Sequence, residues 1–157
     1  MKITLLVIGH TNTNYIKDGI EEYLGRVNHY NAFEIKVIRD IKNAKNFSSE
    51  ARKKKEGQHI LNYSKNRNEI VLLDEGGKSE TSQGFARYLQ KKMASGLKEL
   101  VFVIGGPYGF SDEVHKTVKE KLSLSEMTFP HELAQLIFME QLYRAFTILK
   151  GESYHHQ

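Results

Sequence analysis

The stretch LVFVIGGPYGFSDE at residues 100–113 decides the fold class of this chain. Its first five residues are apolar and rich in β-branched side chains, which is typical of a short buried strand. Three glycines and Pro107 follow, and Ser111 then precedes Asp112 and Glu113, a pattern that suits the capped, positively charged start of a helix. A buried strand that enters a helix through a glycine-rich turn is part of a βαβ unit, so the stretch predicts an α/β protein.

The same alternation runs along the whole chain. Four short apolar runs predict strands, at residues 3–8, 33–38, 70–73 and 100–104. Helical patterns lie between them, and we expect Ser82 to cap the helix that stops at Gly96. Strands that alternate with helices predict a parallel sheet covered on both faces, in a single domain over residues 1–157. We expect the ligand site where the carboxyl ends of the strands open onto loops.

Composition places few further limits on function. The chain has 157 residues, a net charge of +4 and no cysteine. Its short apolar N-terminal run suits neither a signal sequence nor a membrane span, so we expect a soluble cytoplasmic protein without a membrane partner. The basic run at residues 52–55 is compatible with binding to a polyanion and equally with a solvated helix face.

Several well-known catalytic motifs are missing from the sequence. There is no P-loop, zinc-protease, GxSxG or paired-cysteine pattern, and the first strand leads into Gly9-His10-Thr11 instead of a GxGxxG turn. His131, His155 and His156 have no fixed spacing typical of a metal site. We therefore expect no bound metal.

The last predicted helix, at residues 131–150, is apolar on nearly every side. Such a helix must be covered all round. The sheet can cover one side, and we expect a second copy of the chain to cover another, which makes a homodimer the favoured assembly.

Two loops are candidates for a ligand pocket. The glycine loop at residues 105–109 offers backbone groups at close range, which suits the edge of a neutral base, but it is also compatible with a tight strand-to-helix connection. The loop at residues 122–132 alternates polar and apolar residues before a helix start near Pro130. We expect the two loops to end neighbouring strands, with Leu73 at the end of a third.

Three stretches of the sequence stand out together, GGPYG, SLSEMTFPHELAQLIFMEQLYRAF at residues 123–146 and the terminal GESYHHQ. In these stretches the chain closely resembles the RlmH family, small bacterial SPOUT-class methyltransferases that act on large-subunit ribosomal RNA. The resemblance covers the whole chain from its KITLLVIG opening. It implies a SPOUT-type α/β fold with a C-terminal deep trefoil knot, a rare exception to unknotted topology.

The resemblance also implies a reaction and a set of site residues. Members are homodimers that transfer a methyl group from S-adenosylmethionine to N3 of a pseudouridine in 23S rRNA, on joined ribosomal subunits. The implied cofactor contacts are Leu73, Gly105, Leu124, Ser125, Glu126, Met127, Thr128 and Phe129.

The terminal motif supplies the implied catalytic residues, Tyr154 and His155. We expect this tail to close over the target base, with Tyr154 stacking or donating a hydrogen bond and His155 accepting the proton or orienting the base. His156 stands where many relatives carry lysine or arginine, which weakens the case for a permanent phosphate contact there. Arg144 is a candidate for RNA contact, but it also fits a charged side chain that reaches out of a buried helix. A frayed chain end is the alternative for the tail.

Two other functions remain open from the sequence. One is a nucleotide-dependent enzyme of another kind, such as a small-molecule methyltransferase or a reductase. The other is a ribosome-binding factor without chemistry, which would rest on the basic run at residues 52–55.

Overall fold

A computed structural model describes residues 1–63 and 68–156 of the chain. Its sheet has five parallel strands in the order β2-β1-β4-β3-β5. The strands are β1 (Lys2–Ile8), β2 (Phe33–Ile38), β3 (Asn68–Ser79), β4 (Glu99–Ile104) and β5 (Glu120–Ser123). The helices are α1 (Asn14–Asn28), α2 (Ser49–Leu61), α3 (Ser82–Ala94), α4 (Asp112–Thr117) and α5 (His131–Leu149).

The central strands send alternate side chains into two separate cores. In β4, Phe102 joins one core and Val103 the other, and both are fully buried. The first core packs against α1, α3 and α5, for example through Phe138. The second core packs against α2 and α4 through Ile60 and Val114. Because a strand alternates its side chains between two faces, the sheet is covered on both sides.

These elements confirm the predicted α/β class with a parallel sheet and helices on both faces. The runs at residues 3–8, 33–38 and 100–104 form β1, β2 and β4 with ends that differ by at most one residue. The trefoil knot and the single-domain organisation stay predictions.

Four details differ from the expectations. The sequence analysis placed no strand at β5, and it ended β3 at Leu73, whereas β3 continues to Ser79. The glycine loop and the loop at residues 122–132 do not end neighbouring strands, because β3 lies between β4 and β5. Thr81 caps α3 instead of Ser82, since its Oγ1 accepts a hydrogen bond from the backbone N–H of Gly84 at 2.9 Å.

Helix α5 is more fully covered within one chain than its sequence suggests. The sheet lies beneath it, and α1 and α3 pack along its two sides. Leu142 and Met139 are fully buried, whereas Leu133 near the start of the helix is 36% exposed. The chain itself therefore covers most of the apolar surface of α5. In the part of the chain that the structure describes, no helix is both long and apolar enough to cross a membrane.

Candidate functional site

A cavity of about 540 Å³ opens at the carboxyl ends of β3, β4 and β5. We call it the edge pocket. Its volume falls within the range of small-molecule sites. Its walls are the middle of β3, the glycine loop, the loop after β5 and the start of α5. The lining residues are Leu73, Asp74, Glu75, Ile104, Gly105, Gly106, Pro107, Gly109, Phe110, Leu124, Ser125, Met127, Thr128, Phe129, Pro130, His131 and Ala134.

The glycine loop is a tight turn that forms one wall of the edge pocket. The backbone N–H of Gly109 donates to the carbonyl oxygen of Gly106 at 3.0 Å across Pro107 and Tyr108. Gly109 has a φ of 78°, a conformation that favours glycine. A Cβ at Gly105 would lie 3.1 Å from the ring of Phe110. The turn therefore keeps backbone, with few side-chain atoms, at this wall.

The wall from β3 is a four-residue excursion from the sheet. Leu73 and Lys78 both pair with Leu122 of β5, so residues 74–77 form an irregular bulge between them. A Cβ at Gly77 would lie only 2.7 Å from the backbone nitrogen of Leu122. Glycine lets the two chain segments approach here, and the bulge directs Asp74 and Glu75 to the pocket.

Hydrogen bonds within the loop after β5 hold its shape. The hydroxyl of Ser123 donates to the carbonyl oxygen of Ser125 at 2.9 Å, and the backbone N–H of Met127 donates to Oγ of Ser125 at 2.9 Å. The side chain of Met127 is 77% exposed at the rim. Glu126 is exposed and is not part of the pocket lining. This wall is thus shaped by local bonds before any ligand arrives.

Glu132 fixes the start of α5 to the loop after β1. Its carboxylate accepts from the backbone N–H of Asn12 at 2.8 Å and from the hydroxyl of Thr13 at 2.6 Å. The hydrogen bond from Thr13 is the main cause that lowers the pKa of Glu132. The carboxylate stays ionised and holds the two segments together.

A buried carboxyl group lies behind the glycine loop. Glu56 of α2 is 4% exposed, and a Cβ at Gly106 would lie 2.9 Å from its Oε2. Burial raises the pKa of Glu56, Arg52 opposes the increase, and the negative charge of Asp40 adds to it. The loop is therefore backed by a group whose charged form is disfavoured.

The C-terminal tail folds back along α5 and packs on the middle and the C-terminal half of this helix. The hydroxyl of Tyr154 donates to Oε1 of Glu140 at 3.1 Å, and the ring of Tyr154 lies 4.8 Å from the guanidinium carbon of Arg144. Nη1 of Arg144 lies 3.3 Å from Nδ1 of His155. Tyr30 donates to Glu152 at 2.7 Å, which raises the pKa of Tyr30 to about 12. The tail has an ordered set of partners and is not a frayed end.

Arg144 is the centre of the tail contacts. Its guanidinium group donates to Oε1 of Glu140 at 2.7 Å, and this hydrogen bond raises the pKa of Arg144. Its side chain is 25% exposed. Burial raises the pKa of Tyr154 far above the usual range, with further contributions from Tyr23 and Glu140.

The edge pocket contacts the first turn of α5, whereas the tail packs against the middle and the C-terminal half of this helix, at Glu140 and Arg144. At 1.5 Å per residue, these two residues lie roughly 14 and 20 Å along the helix from His131. His131 at its start lines the pocket, whereas the described tail residues do not. The structure thus brings seven of the eight predicted cofactor residues together and leaves Tyr154, His155, His156 and Arg144 apart from them.

Several lining residues were missing from the predicted set. The sequence analysis named Leu73 but not Asp74 and Glu75, although their place after an apolar strand was a usable signal. Ile104, Phe110 and Ala134 carry no such signal, because an apolar residue beside a pocket has the same sequence pattern as one in the core. In the described part of the chain, no group of three or more His, Cys, Asp or Glu residues is placed to hold a metal.

The chain is similar over its whole length to known proteins. Residues 1–155 match the family described as "Predicted SPOUT methyltransferase". The chain is 54% identical to the Ribosomal RNA large subunit methyltransferase H of Parabacteroides distasonis and 52% identical to that of Flavobacterium psychrophilum. Each alignment covers 100% of both chains.

A solved structure supports the fold. It is described as a probable methylase family protein from Haemophilus influenzae Rd KW20, with a TM-score of 0.52 and 10% sequence identity. The match covers 99% of this chain and 70% of that one.

Proposed function

Since the chain belongs to the SPOUT methyltransferase family, in its RlmH branch, we propose that it methylates N3 of a pseudouridine in 23S rRNA. S-adenosylmethionine is the proposed methyl donor, the assembled ribosome the substrate and the cytoplasm the location. Family membership favours this function over another nucleotide-dependent enzyme and over a ribosome-binding factor without chemistry.

The edge pocket is the observation that carries the proposal. It has the volume of a nucleoside site and walls in which backbone groups are accessible. Of the described residues that line it, none is lysine or arginine, while Asp74 and Glu75 are acidic. These charges suit a ligand that carries a sulfonium and an ammonium group, and the lining lacks the basic residues that a triphosphate needs. The residues present fit the proposed donor.

The loops of the edge pocket would hold the donor. Leu73, Gly105 and residues 124–129, with Glu126 at the outer surface, form the proposed binding set. When bound, S-adenosylmethionine supplies an electrophilic methyl group. Since the local bonds of Ser125 shape its loop in advance, the protein can align donor and acceptor with little ordering cost.

The tail requires a second copy of the chain to reach the pocket. Within one chain, Tyr154 and His155 pack against Glu140 and Arg144, roughly 14–20 Å along α5 from His131 at the donor site. Leu133 leaves apolar surface exposed at the pocket end of α5. In the proposed homodimer, packing along this helix places the tail of one copy over the edge pocket of the other.

The proposed roles of the tail follow from its chemistry. Tyr154 stacks on the target base or donates to it, and His155 accepts the proton that leaves N3 or orients the base. Arg144 holds His155 in place at 3.3 Å and, with His156, can contact the RNA backbone.

The experiment is a methyl-transfer assay with labelled S-adenosylmethionine and ribosomes from a strain that lacks this protein. We expect one methyl group per ribosome, and mass mapping should locate it on N3 of a pseudouridine in 23S rRNA. Isolated subunits and free rRNA serve as comparison substrates. Labelling of another nucleotide would overturn the proposed substrate, and tight binding of NADH without binding of S-adenosylmethionine would overturn the proposed donor.

A further inference from the structure

The excess positive charge of the chain lies in one segment. Residues 39–59 hold seven of the 23 Lys and Arg residues and three of the 19 Asp and Glu residues. The rest of the chain therefore carries 16 of each sign and is balanced. The net charge of +4 thus belongs to the loop after β2 and the following helix, α2.

This segment borders a groove of about 630 Å³ between the end of β2 and α2. Arg39, Lys42 and Lys55 line it and are exposed. They form no ion pair with any described residue. The ammonium group of Lys55 lies 3.8 Å from the ring centroid of Phe47, which holds it near the groove. The cations are thus available to an external anion.

The groove and the edge pocket open on the same edge of the sheet. All five strands are parallel, so the carboxyl ends of β2, β4 and β3 lie together. Only β1 separates β2 from β4, which places their ends about 10 Å apart. This distance is short relative to an RNA stem-loop.

Arg52 of α2 contacts the glycine loop of the edge pocket. Its guanidinium carbon lies 5.2 Å from the ring centroid of Tyr108, and Tyr108 belongs to the glycine loop of the edge pocket. The ring of Tyr108 is 52% exposed. The Nε atom of Arg52 is buried without a hydrogen-bond partner among the described residues. A cation and an exposed aromatic ring therefore stand between pocket and groove, a combination that suits RNA.

We propose that the groove binds the phosphate backbone of the substrate RNA, with Arg39, Lys42 and Lys55 as its contacts and Tyr108 and Arg52 beside the path from the pocket. This proposal rests on the proposed function. The groove lies on the α2 side of the sheet, opposite α5, so a homodimer packed through α5 leaves it open. Phosphate contacts in the groove would position the RNA so that one nucleotide reaches the edge pocket.

The test compares two triple variants that lose the same charge. The first is Arg39→Gln, Lys42→Gln and Lys55→Gln. The control is Lys91→Gln, Lys98→Gln and Lys116→Gln, three exposed lysines at the opposite, amino-terminal edge of the sheet. Both are assayed for methyl transfer to ribosomes at several salt concentrations, for crosslinking to rRNA and for calorimetric binding of S-adenosylmethionine.

We expect the first variant to raise KM for ribosomes at least about tenfold, and the salt dependence of log kcat/KM to become shallower by about two to three. Binding of S-adenosylmethionine should not change. The control should keep the wild-type salt dependence. The groove proposal would be overturned if the two variants behaved alike. It would also be overturned if the first variant lost a crosslink to a ribosomal protein while its crosslinks to rRNA stayed intact. Wild-type protein without methyl transfer would instead overturn the proposed function.

Discussion

The edge pocket and the C-terminal tail are built by different means. The pocket has walls of closely approaching backbone, such as the turn at Gly106 and Gly109 and the contact of Gly77 with β5. The tail is held by side chains, through Arg144, Glu140 and Tyr154. In a wall made of backbone, a substitution disrupts the structure only where the new Cβ would clash with a neighbouring chain segment. In a cluster of side chains, loss of one functional group removes the contacts that hold the cluster together. The two halves of the proposed site should therefore respond to different substitutions.

The largest effect is expected in the tail. The double variant Tyr154→Ala with His155→Ala should lower kcat/KM for ribosomes about 10²- to 10⁴-fold, because it removes the proposed acid–base and positioning groups. Binding of S-adenosylmethionine, measured by calorimetry, should stay close to the wild-type value. Tyr154→Phe is the matched control, since it keeps the ring contacts with Tyr143 and Arg144. Unaltered turnover of the double variant would remove the tail from the mechanism.

A smaller effect is expected in the pocket wall. Gly77→Ala places a Cβ against the backbone of Leu122, so β3 and β5 must separate, at a cost of about 1–3 kcal/mol in the free energy of unfolding. Affinity for S-adenosylmethionine should fall with it, because the bulge carries Asp74 and Glu75. Denaturant unfolding and calorimetry measure both quantities.

Gly25→Ala in α1 is the control for Gly77→Ala. A Cβ at Gly25 meets nothing within 4 Å, so this variant should be neutral or more stable by up to about 1 kcal/mol. If the two glycine variants behave alike, the close approach of β3 and β5 does not shape the pocket.

The smallest effect is expected behind the glycine loop, in Glu56→Gln. The folded-state pKa of Glu56 is raised by burial, so between the unfolded and folded pKa values the native state binds more protons and wild-type stability falls as pH rises. The glutamine variant has no carboxyl group to titrate at this position, so it does not lose stability in this way. Its stability relative to wild type should therefore increase from acidic to neutral pH, by about 1 kcal/mol or less. Melting temperatures across this pH range provide the measurement, and a parallel pH profile would contradict the assignment.

Much of the fold could be predicted because the buried parallel strands are continuous apolar runs. Phe33–Ile38 at the sheet edge stands out in another way, because its apolar residues alternate with Glu34 and Lys36. The strand Glu120–Ser123 could not be predicted, because EKLS has the composition of a polar loop. It forms a strand by pairing with β3. The order of the strands depends on which crossovers pack together, and no local pattern records it.

The pocket could be predicted only in part for a related reason. The sequence GGPYG indicated a wall, since several glycines so close together exceed what a turn requires. The separation of Tyr154 from the pocket depends on where the tail folds back onto α5, which no local sequence pattern records. The groove beside α2 is formed by residues from separate elements, and the sequence showed only its basic run.

The phenol of the tail limits where a proton can go. Since its pKa is raised above that of a free tyrosine, Tyr154 keeps its hydrogen at neutral pH, and a neutral phenol is too weak a base to deprotonate a nucleobase. If this residue meets the ring, it can stack on it or share a hydrogen bond, but it cannot remove the imide hydrogen. Departure of that hydrogen then falls to the imidazole beside it or to water. Loss of turnover in His155→Ala, with Tyr154 in place, would point to the imidazole as the acceptor.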